Sequence, residues 1–246
     1  MKGFVLLLAL VLTLNVTVNA QNKQFKALLV TTDNGWHHES LSYGVVALKE
    51  LATKNFFDLV YWENPKGFTD EYLKQFQVVI FLHTSGNIFD SAQKKVMERY
   101  IQSGKGFVGI HSASDTEYGW EWYTKLVGRS FKTHPAVQTA KLKVLDPSFP
   151  GLKPFDDALW TDEWYEFTPE KTSGLKYVLS VDESTYKPSN PSSHGYGTMH
   201  PIAWYHDFDG GRAFYTALGH LPTHFSNQAF LDHLYAGIFY AATGKK

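Results

Sequence analysis

The chain of 246 residues contains no cysteine. That absence excludes disulfides, so stability has to come from packing, and it removes every thiol nucleophile and every thiolate metal site. An excess of one charge is missing too, with 23 Lys and Arg against 24 Asp and Glu. Such a balance offers no basic face for a nucleic acid. No internal repeat, low-complexity tract or linker-like shift in composition divides the chain. A compact ligand motif such as His-Glu-x-x-His is absent as well, so any metal site would have to be assembled from distant loops.

What is present begins with the features of an export signal. Lys2 supplies a positive start, Phe4 to Leu14 an apolar core, and Val18-Asn19-Ala20 a small-residue cleavage site. The core is shorter than the roughly 20 residues that span a bilayer. Residues 1–20 are therefore expected to be a signal peptide, and 21–246 a single α/β domain, secreted or periplasmic and without membrane attachment once the signal is removed.

The stretch that organises this domain is Gly104-Lys105-Gly106-Phe107-Val108-Gly109-Ile110-His111-Ser112-Ala113-Ser114-Asp115. Helical spacing over Asp90 to Ser103 runs into Gly104, which reads as a helix-ending glycine. Phe107 to Ile110 is too continuously apolar to have one wet face, and reads as a buried parallel strand. It breaks off in Gly-x-His-x-Ala, the outline of a nucleophile elbow with His111 where a Ser or Cys would sit. Such a turn holds its side chain over the carboxyl end of a sheet, where open α/β folds place their sites. The competing reading is a tight turn whose histidine is merely packed.

Upstream, strands are expected at Lys26 to Thr32, Phe57 to Trp62 and Val78 to Leu82. Between them, Leu41, Val45, Leu48 and Leu51 repeat at helical spacing, and Thr69-Asp70-Glu71 opens a short helix. Ser40 or a neighbour is expected to cap the first helix, and Asp90 with Gln93 forms a capping box. This alternation means a mostly parallel sheet built from right-handed crossovers. After His111 it weakens. Trp120 to Val127 reads as a helix, and Ala140 to Leu145, Trp164 to Phe167 and Tyr177 to Val181 as strands of a mixed or antiparallel insertion lying over the sheet. Ser189 to Gly197 reads as a surface loop. Strands at Ile202 to His206 and Arg212 to Leu218, then a helix from Ser226 to Ala242, complete the order.

Three of the expected strands end in a histidine, namely His83, His111 and His220, and loops add His37, His38, His134 and His200. Imidazole is the side chain whose ordinary pKa suits proton transfer near neutrality, and a nearby carboxylate can orient it or act as its partner. Asp162-Glu163 supplies carboxylates just before Trp164-Tyr165. The candidate site residues are therefore His37, His111, His134, Asp162, Glu163, His200 and His220. His83 is left open between site and core, while His194, His206, His224 and His233 are read as structural. No organic cofactor is indicated. Histidine and carboxylate without thiolate leave a divalent metal open, zinc first, or iron or manganese in a more oxygen-rich shell.

Several ordered motifs carry a resemblance. They are Trp36-His37-His38-Glu39-Ser40, the elbow stretch, Val127-Gly128-Arg129-Ser130-Phe131-x-x-His134-Pro135, Asp162-Glu163-Trp164-Tyr165, His200-Pro201-Ile202-Ala203-Trp204, and Gly210-Gly211-Arg212-x-Phe214-Tyr215-x-x-Leu218-Gly219-His220. Together the chain resembles the ThuA-like, trehalose-utilisation family. The resemblance implies a flavodoxin-like three-layer sandwich of the class I glutamine amidotransferase-like superfamily. It does not imply amidotransfer, which needs the cysteine that this elbow lacks. It implies sugar catabolism, with trehalose and related disaccharides and their 3-keto-glycosides as the substrate class. A small-molecule carbohydrate is then the expected partner. An acid–base enzyme, whether lyase, hydrolase or isomerase, is the expected activity, with His111 as base, Glu163 or Asp162 as its partner, and His220 or His134 at the oxyanion. A non-catalytic carbohydrate-binding protein and a metal-dependent hydrolase are the alternatives.

If the signal reading is right, the intact mass of the exported protein corresponds to a chain beginning at Gln21; retention of Met1 would overturn it.

Overall fold

The computed structural model describes residues 22–62, 67–189 and 199–246. The expected signal peptide lies outside the described residues, as does all of the expected 189–197 loop except Ser189. The elements follow in the order β1 (Lys26–Val30), α1 (Leu41–Lys54), β2 (Asp58–Trp62), α2 (Asp70–Leu73), β3 (Val78–Leu82), α3 (Ser91–Gln102) and β4 (Gly106–Ile110). Then come α4 (Glu121–Val127), β5 (Phe131–Thr133), β6 (Gln138–Val144), β7 (Leu159–Asp162), β8 (Glu166–Phe167), β9 (Lys176–Val181), β10 (His200–Phe208), β11 (Gly211–Thr216) and α5 (Gln228–Thr243). Among the described residues no helix is long and apolar enough to cross a membrane.

Among the described residues the main sheet has nine strands, in the order β2-β1-β3-β4-β11-β10-β9-β6-β7. Its first five are mutually parallel, and the rest continue antiparallel from β11. Reading β11 as the fifth parallel strand gives the flavodoxin-like order, in which the chain reverses direction between β1 and β3. Right-handed crossovers then place α1 on one face and α2 and α3 on the other. Every residue of β3 and β4 is buried, as their uninterrupted apolar character requires. The contact of α5 with β4 is tight enough that a Cβ on Gly106 would fall 2.0 Å from the Ala241 carbonyl oxygen.

Local signals mostly act where the side chains place them. Asp90 and Gln93 close a capping box on α3, and Thr69 caps α2 through the Tyr72 amide. Gly104, at φ 86°, ends α3 in the left-handed conformation a glycine permits. Ser40 occupies the cap position of α1, but its hydroxyl is used elsewhere, donating to the Gly219 carbonyl and lying 3.2 Å from His83 Nε2. The last helix starts at Gln228 rather than Ser226, because the Asn227 side chain accepts the Ala229 and Phe230 amides.

The middle third corrects one expectation. Its strands do not lie over the sheet; β6, β7 and β9 lengthen it beyond β10, and only β5 and β8 form a separate two-stranded ribbon. Trp164-Tyr165 belong to no strand, since the Asp162 side chain takes the Glu163 amide and turns the chain between β7 and β8.

Two of the histidines read as structural are indeed packed into the fold. His206 donates to the Leu126 carbonyl. His233 is fully buried on α5, with Nε2 at 3.0 Å from the Thr216 hydroxyl and the rings of Phe155 and Phe214 against it. Burial depresses the His233 pKa from 6.5 to about 3. A group depressed in the folded state contributes stability above its unfolded pKa and loses it as pH falls toward the folded one. The protein is therefore expected to lose stability through this group from pH 6.5 down to about 3. His233→Phe should flatten the acid limb of a stability–pH curve by up to about 1.4 kcal/mol per pH unit. Parallel curves for variant and wild type would refute this.

Candidate functional site

The parallel strands point their carboxyl ends the same way. They deliver His38 from the loop after β1, His83 directly after β3, His111 directly after β4, and Gly219-His220 shortly after β11. His83 and His111 both adopt positive φ, 53° and 54°, a conformation costly for a non-glycine residue. At His111 the surroundings hold it there. The Tyr215 hydroxyl donates to its carbonyl at 2.8 Å and meets Ser114 Oγ at 2.8 Å. Gly109 leaves room for this packing, since a Cβ there would meet the Tyr215 ring at 3.0 Å and Ala113 at 3.1 Å. The small residues on either side of His111 thus do what an elbow requires.

The elbow histidine does not stand out in the cleft, however. His111 is fully buried, with the rings of His38, His83, Tyr165 and His220 around it. Its Nδ1–H donates to the Ala217 carbonyl at 2.7 Å, which turns Nε2 toward the other site residues. Around Nε2 lie Tyr165 Oη at 3.0 Å, Glu163 Oε2 at 3.4 Å and His220 Nδ1 at 3.4 Å. His220 Nδ1 is 3.3 Å from the same Oε2, and His134 Nδ1 is 3.0 Å from Glu163 Oε1. His134 Nδ1 is also 2.9 Å from the Pro135 carbonyl, so that nitrogen carries the proton and Nε2 is left as a lone pair.

The other carboxylate has a different task. Asp162 is fully buried and accepts three backbone amides, those of Glu163 (2.8 Å), Gly219 (3.1 Å) and His220 (3.2 Å). It positions two site residues, Glu163 and His220, at once. His224 Nδ1 stands 3.4 Å away while its Nε2 donates to the Thr161 carbonyl.

Charge is unevenly shared among these groups. Burial alone would raise the Glu163 pKa, but the neighbouring His111 and His220 rings hold its carboxyl far below the usual range. Burial also works against a proton on His220, and the bond to Glu163 outweighs it and raises that pKa. His38 goes the other way, pushed down to about 3 by burial and by the neighbouring His111 and His220. Burial holds His83 well below its ordinary value too. At the rim, burial raises the Asp115 carboxyl, against the bond it accepts from the Tyr118 hydroxyl.

A cleft of about 320 Å³ opens onto this assembly. Its polar wall is His38, Asp115, His134, Glu163 and His220, and its aromatic wall is Trp36, Phe131 and Tyr165. That volume lies at the small end of ligand cavities. A larger surface groove of about 570 Å³ beside α1 contains Glu50 but no histidine.

Of the residues expected from sequence, His111, His134, Glu163 and His220 come together, and Asp162 stands behind them. Two do not join. His37 is exposed and pairs with Asp33, while its neighbour His38 turns inward. His200 is buried beneath the site, donating through Nε2 to the Tyr165 carbonyl at 2.8 Å, with Nδ1 beside Tyr186 and Glu183. It braces Tyr165 rather than facing the cleft. His83, left open from sequence, stacks on His38 at 4.8 Å in a fully buried position. His38 and Tyr165 are site residues that sequence reasoning passed over, although both fall within motifs that already contained candidates.

Fold and site together define a flavodoxin-like α/β protein with a histidine–carboxylate cluster at the carboxyl rim, where a thiol chemistry is impossible. The chain belongs to the ThuA family, described as trehalose utilisation, whose family model matches residues 26–241. A ThuA-like protein from Bacteroides uniformis superposes with a TM-score of 0.73 at 22% identity, covering 92% of this chain and 94% of that one. One from Parabacteroides merdae gives 0.70 at 20%, covering 91% of each. A β-galactosidase from Bacillus circulans sp. alkalophilus is similar in fold over 86% of this chain but 30% of its own, at 15% identity and a TM-score of 0.53. No curated protein matches the chain.

If Asp162 positions the site, Asp162→Asn presents an amide to backbone N–H groups that need an acceptor. Stability should fall by about 1–3 kcal/mol, and whichever of the Gly219 and His220 amides faces the new NH2 group should lose protection in hydrogen exchange. Unchanged melting with unchanged exchange at those amides would rule the role out.

Proposed function

We propose that this ThuA-family protein is an exported enzyme of trehalose-type glycoside utilisation, acting by proton transfer on a sugar held in the His134/Glu163/His220 cleft. The observation that carries the reading is the convergence of His134, Glu163, His220 and Tyr165 on one small cleft with aromatic walls. Trp36 and Phe131 offer ring faces to the C–H side of a sugar, and the polar wall offers partners for its hydroxyls. The size suits one sugar ring rather than a whole disaccharide.

The resemblance to the family implies oxidised, 3-keto-glycosides as well as trehalose itself. A 3-keto group acidifies the C–H bonds beside it, so elimination, hydration or isomerisation needs a base and an acid but no nucleophile. We assign the base to His134 rather than to His111, the residue expected from sequence. His111 is sealed under the cleft, whereas the His134 side chain is 40% exposed and is oriented by Glu163 as a carboxylate orients a catalytic imidazole. His134 Nε2 would take the proton. The Tyr165 hydroxyl, whose pKa burial holds well above its ordinary value, and His220 would serve the oxygen on which charge develops. Export rests on the N-terminal pattern of Lys2, the apolar core and Val18-x-Ala20.

The test is incubation of the protein with glucosides, trehalose and their 3-keto forms, with products followed by mass spectrometry. His134→Gln should lower turnover by about 10²–10⁴-fold, the usual worth of a positioned base, and leave sugar binding largely intact. Saturable binding with no product from any of these sugars would replace the enzyme with a binding protein. Turnover unaffected by His134→Gln would move the base elsewhere.

A further inference from the structure

Three donor atoms in the site form a nearly equilateral triangle. His111 Nε2 to Glu163 Oε2 is 3.4 Å, Glu163 Oε2 to His220 Nδ1 is 3.3 Å, and His220 Nδ1 to His111 Nε2 is 3.4 Å. These edges are long for good hydrogen bonds, which run at about 2.7–3.2 Å. They match donors sharing a tetrahedral cation, because bonds of about 2.0–2.1 Å put neighbouring ligands roughly 3.3–3.4 Å apart. A ring nitrogen of His38 completes the set, all four ligand atoms lying within 4.8 Å of one another. His111 has already committed its Nδ1 proton to Ala217, so in the neutral ring Nε2 turns a lone pair, not a proton, toward Glu163.

We propose that His38, His111, Glu163 and His220 bind one divalent transition-metal cation, zinc by the chemistry of its donors. The proposal deepens the glycoside reading of the same cleft and rests on it for the role of the metal, though not for the site itself. Three imidazoles and a carboxylate with no thiolate suit zinc among the common biological cations. The groups around the ligands are those that metal sites use to aim theirs. The Ala217 carbonyl fixes the His111 ring, Asp162 holds the backbone at both Glu163 and His220, and His134 occupies the second Glu163 oxygen. Tyr165 Oη, 3.0 Å from His111 Nε2, would yield that lone pair to the cation. The cleft lies against the cluster, so a sugar carbonyl or hydroxyl oxygen can approach the cation and be polarised by it. Glu163 then has two tasks, one oxygen on the cation and the other on His134.

The experiment uses the whole protein purified without a polyhistidine tag, stripped with chelator and titrated with zinc chloride by calorimetry. Metal content by mass spectrometry should reach one zinc per chain, and the melting temperature should rise with zinc. Cobalt in its place should show the visible absorption of a four- or five-coordinate site. Glu163→Gln, which keeps the side chain's shape, and His220→Ala should each weaken zinc binding by more than about 100-fold, beyond the usual cost of losing an outer partner. His37→Ala, at an exposed ring, should bind as wild type. Melting curves of the stripped variants show that they are folded. Absence of saturable zinc binding, or equal binding by the Glu163 and His220 variants, overturns the proposal. Glycoside turnover in a protein that binds no metal would remove the metal and leave the enzyme; zinc bound at this site without any sugar bound or converted would do the reverse.

Discussion

A single buried carboxylate joins the two halves of this protein at the place where its chemistry converges. Asp162 ends β7, a strand of the antiparallel extension, and accepts the amides of Gly219 and His220 from the loop after β11, the last parallel strand. The same side chain takes the amide of Glu163. It thereby fixes the carboxylate of the site against one of its histidines. A fully buried ionisable group is expensive unless its hydrogen bonds are satisfied, and here each backbone amide both satisfies it and is positioned by it.

Burial then decides what each histidine can do. The rings of His38, His83 and His111 pack against one another in a region with little solvent, and burial together with mutual repulsion keeps His38 and His83 unprotonated. Glu163 is the counter-charge that allows a proton on His220 nearby. With His38 and His83 held unprotonated beside an ionised carboxylate, this region is rich in lone pairs. Such a surface can accept protons or a cation, and the cleft above it gives a ligand access to both.

The local backbone is strained to the same end. His83 and His111 sit in the left-handed region, where glycine would be cheaper, so the imidazoles themselves are what the site keeps. A strand-to-helix elbow of this kind ordinarily exposes a nucleophile. In this chain the same strained turn points a buried imidazole nitrogen at a carboxylate, and the elbow becomes a support for groups around it rather than the attacking residue.

Much of the fold was legible because it follows from short-range chemistry. The continuous apolar runs of Val78–Leu82 and Phe107–Ile110, the Asp90/Gln93 capping box and the helix-ending Gly104 each act within a few residues, and parallel strands had to bring His83 and His111 to one rim. The family was legible too, since its motifs are ordered along nearly the whole chain. Other features depended on partners distant in sequence. Whether His37 or His38 faces inward turns on one residue of register in a loop, which only packing against His83 and His111 settles. His200 and Asp162 look like site residues in the chain, but their hydrogen bonds reach Tyr165, Gly219 and His220, 35 to 58 positions away, and make them supports. The extension beyond β10 likewise depends on which strand edge is free to pair, and edge pairing is a property of the assembled sheet, not of any one strand. The sequence by itself determined most of the elements, the family and the stock of imidazoles and carboxylates. Tertiary structure decided which of them meet, because burial and distance exist only once the strands are side by side.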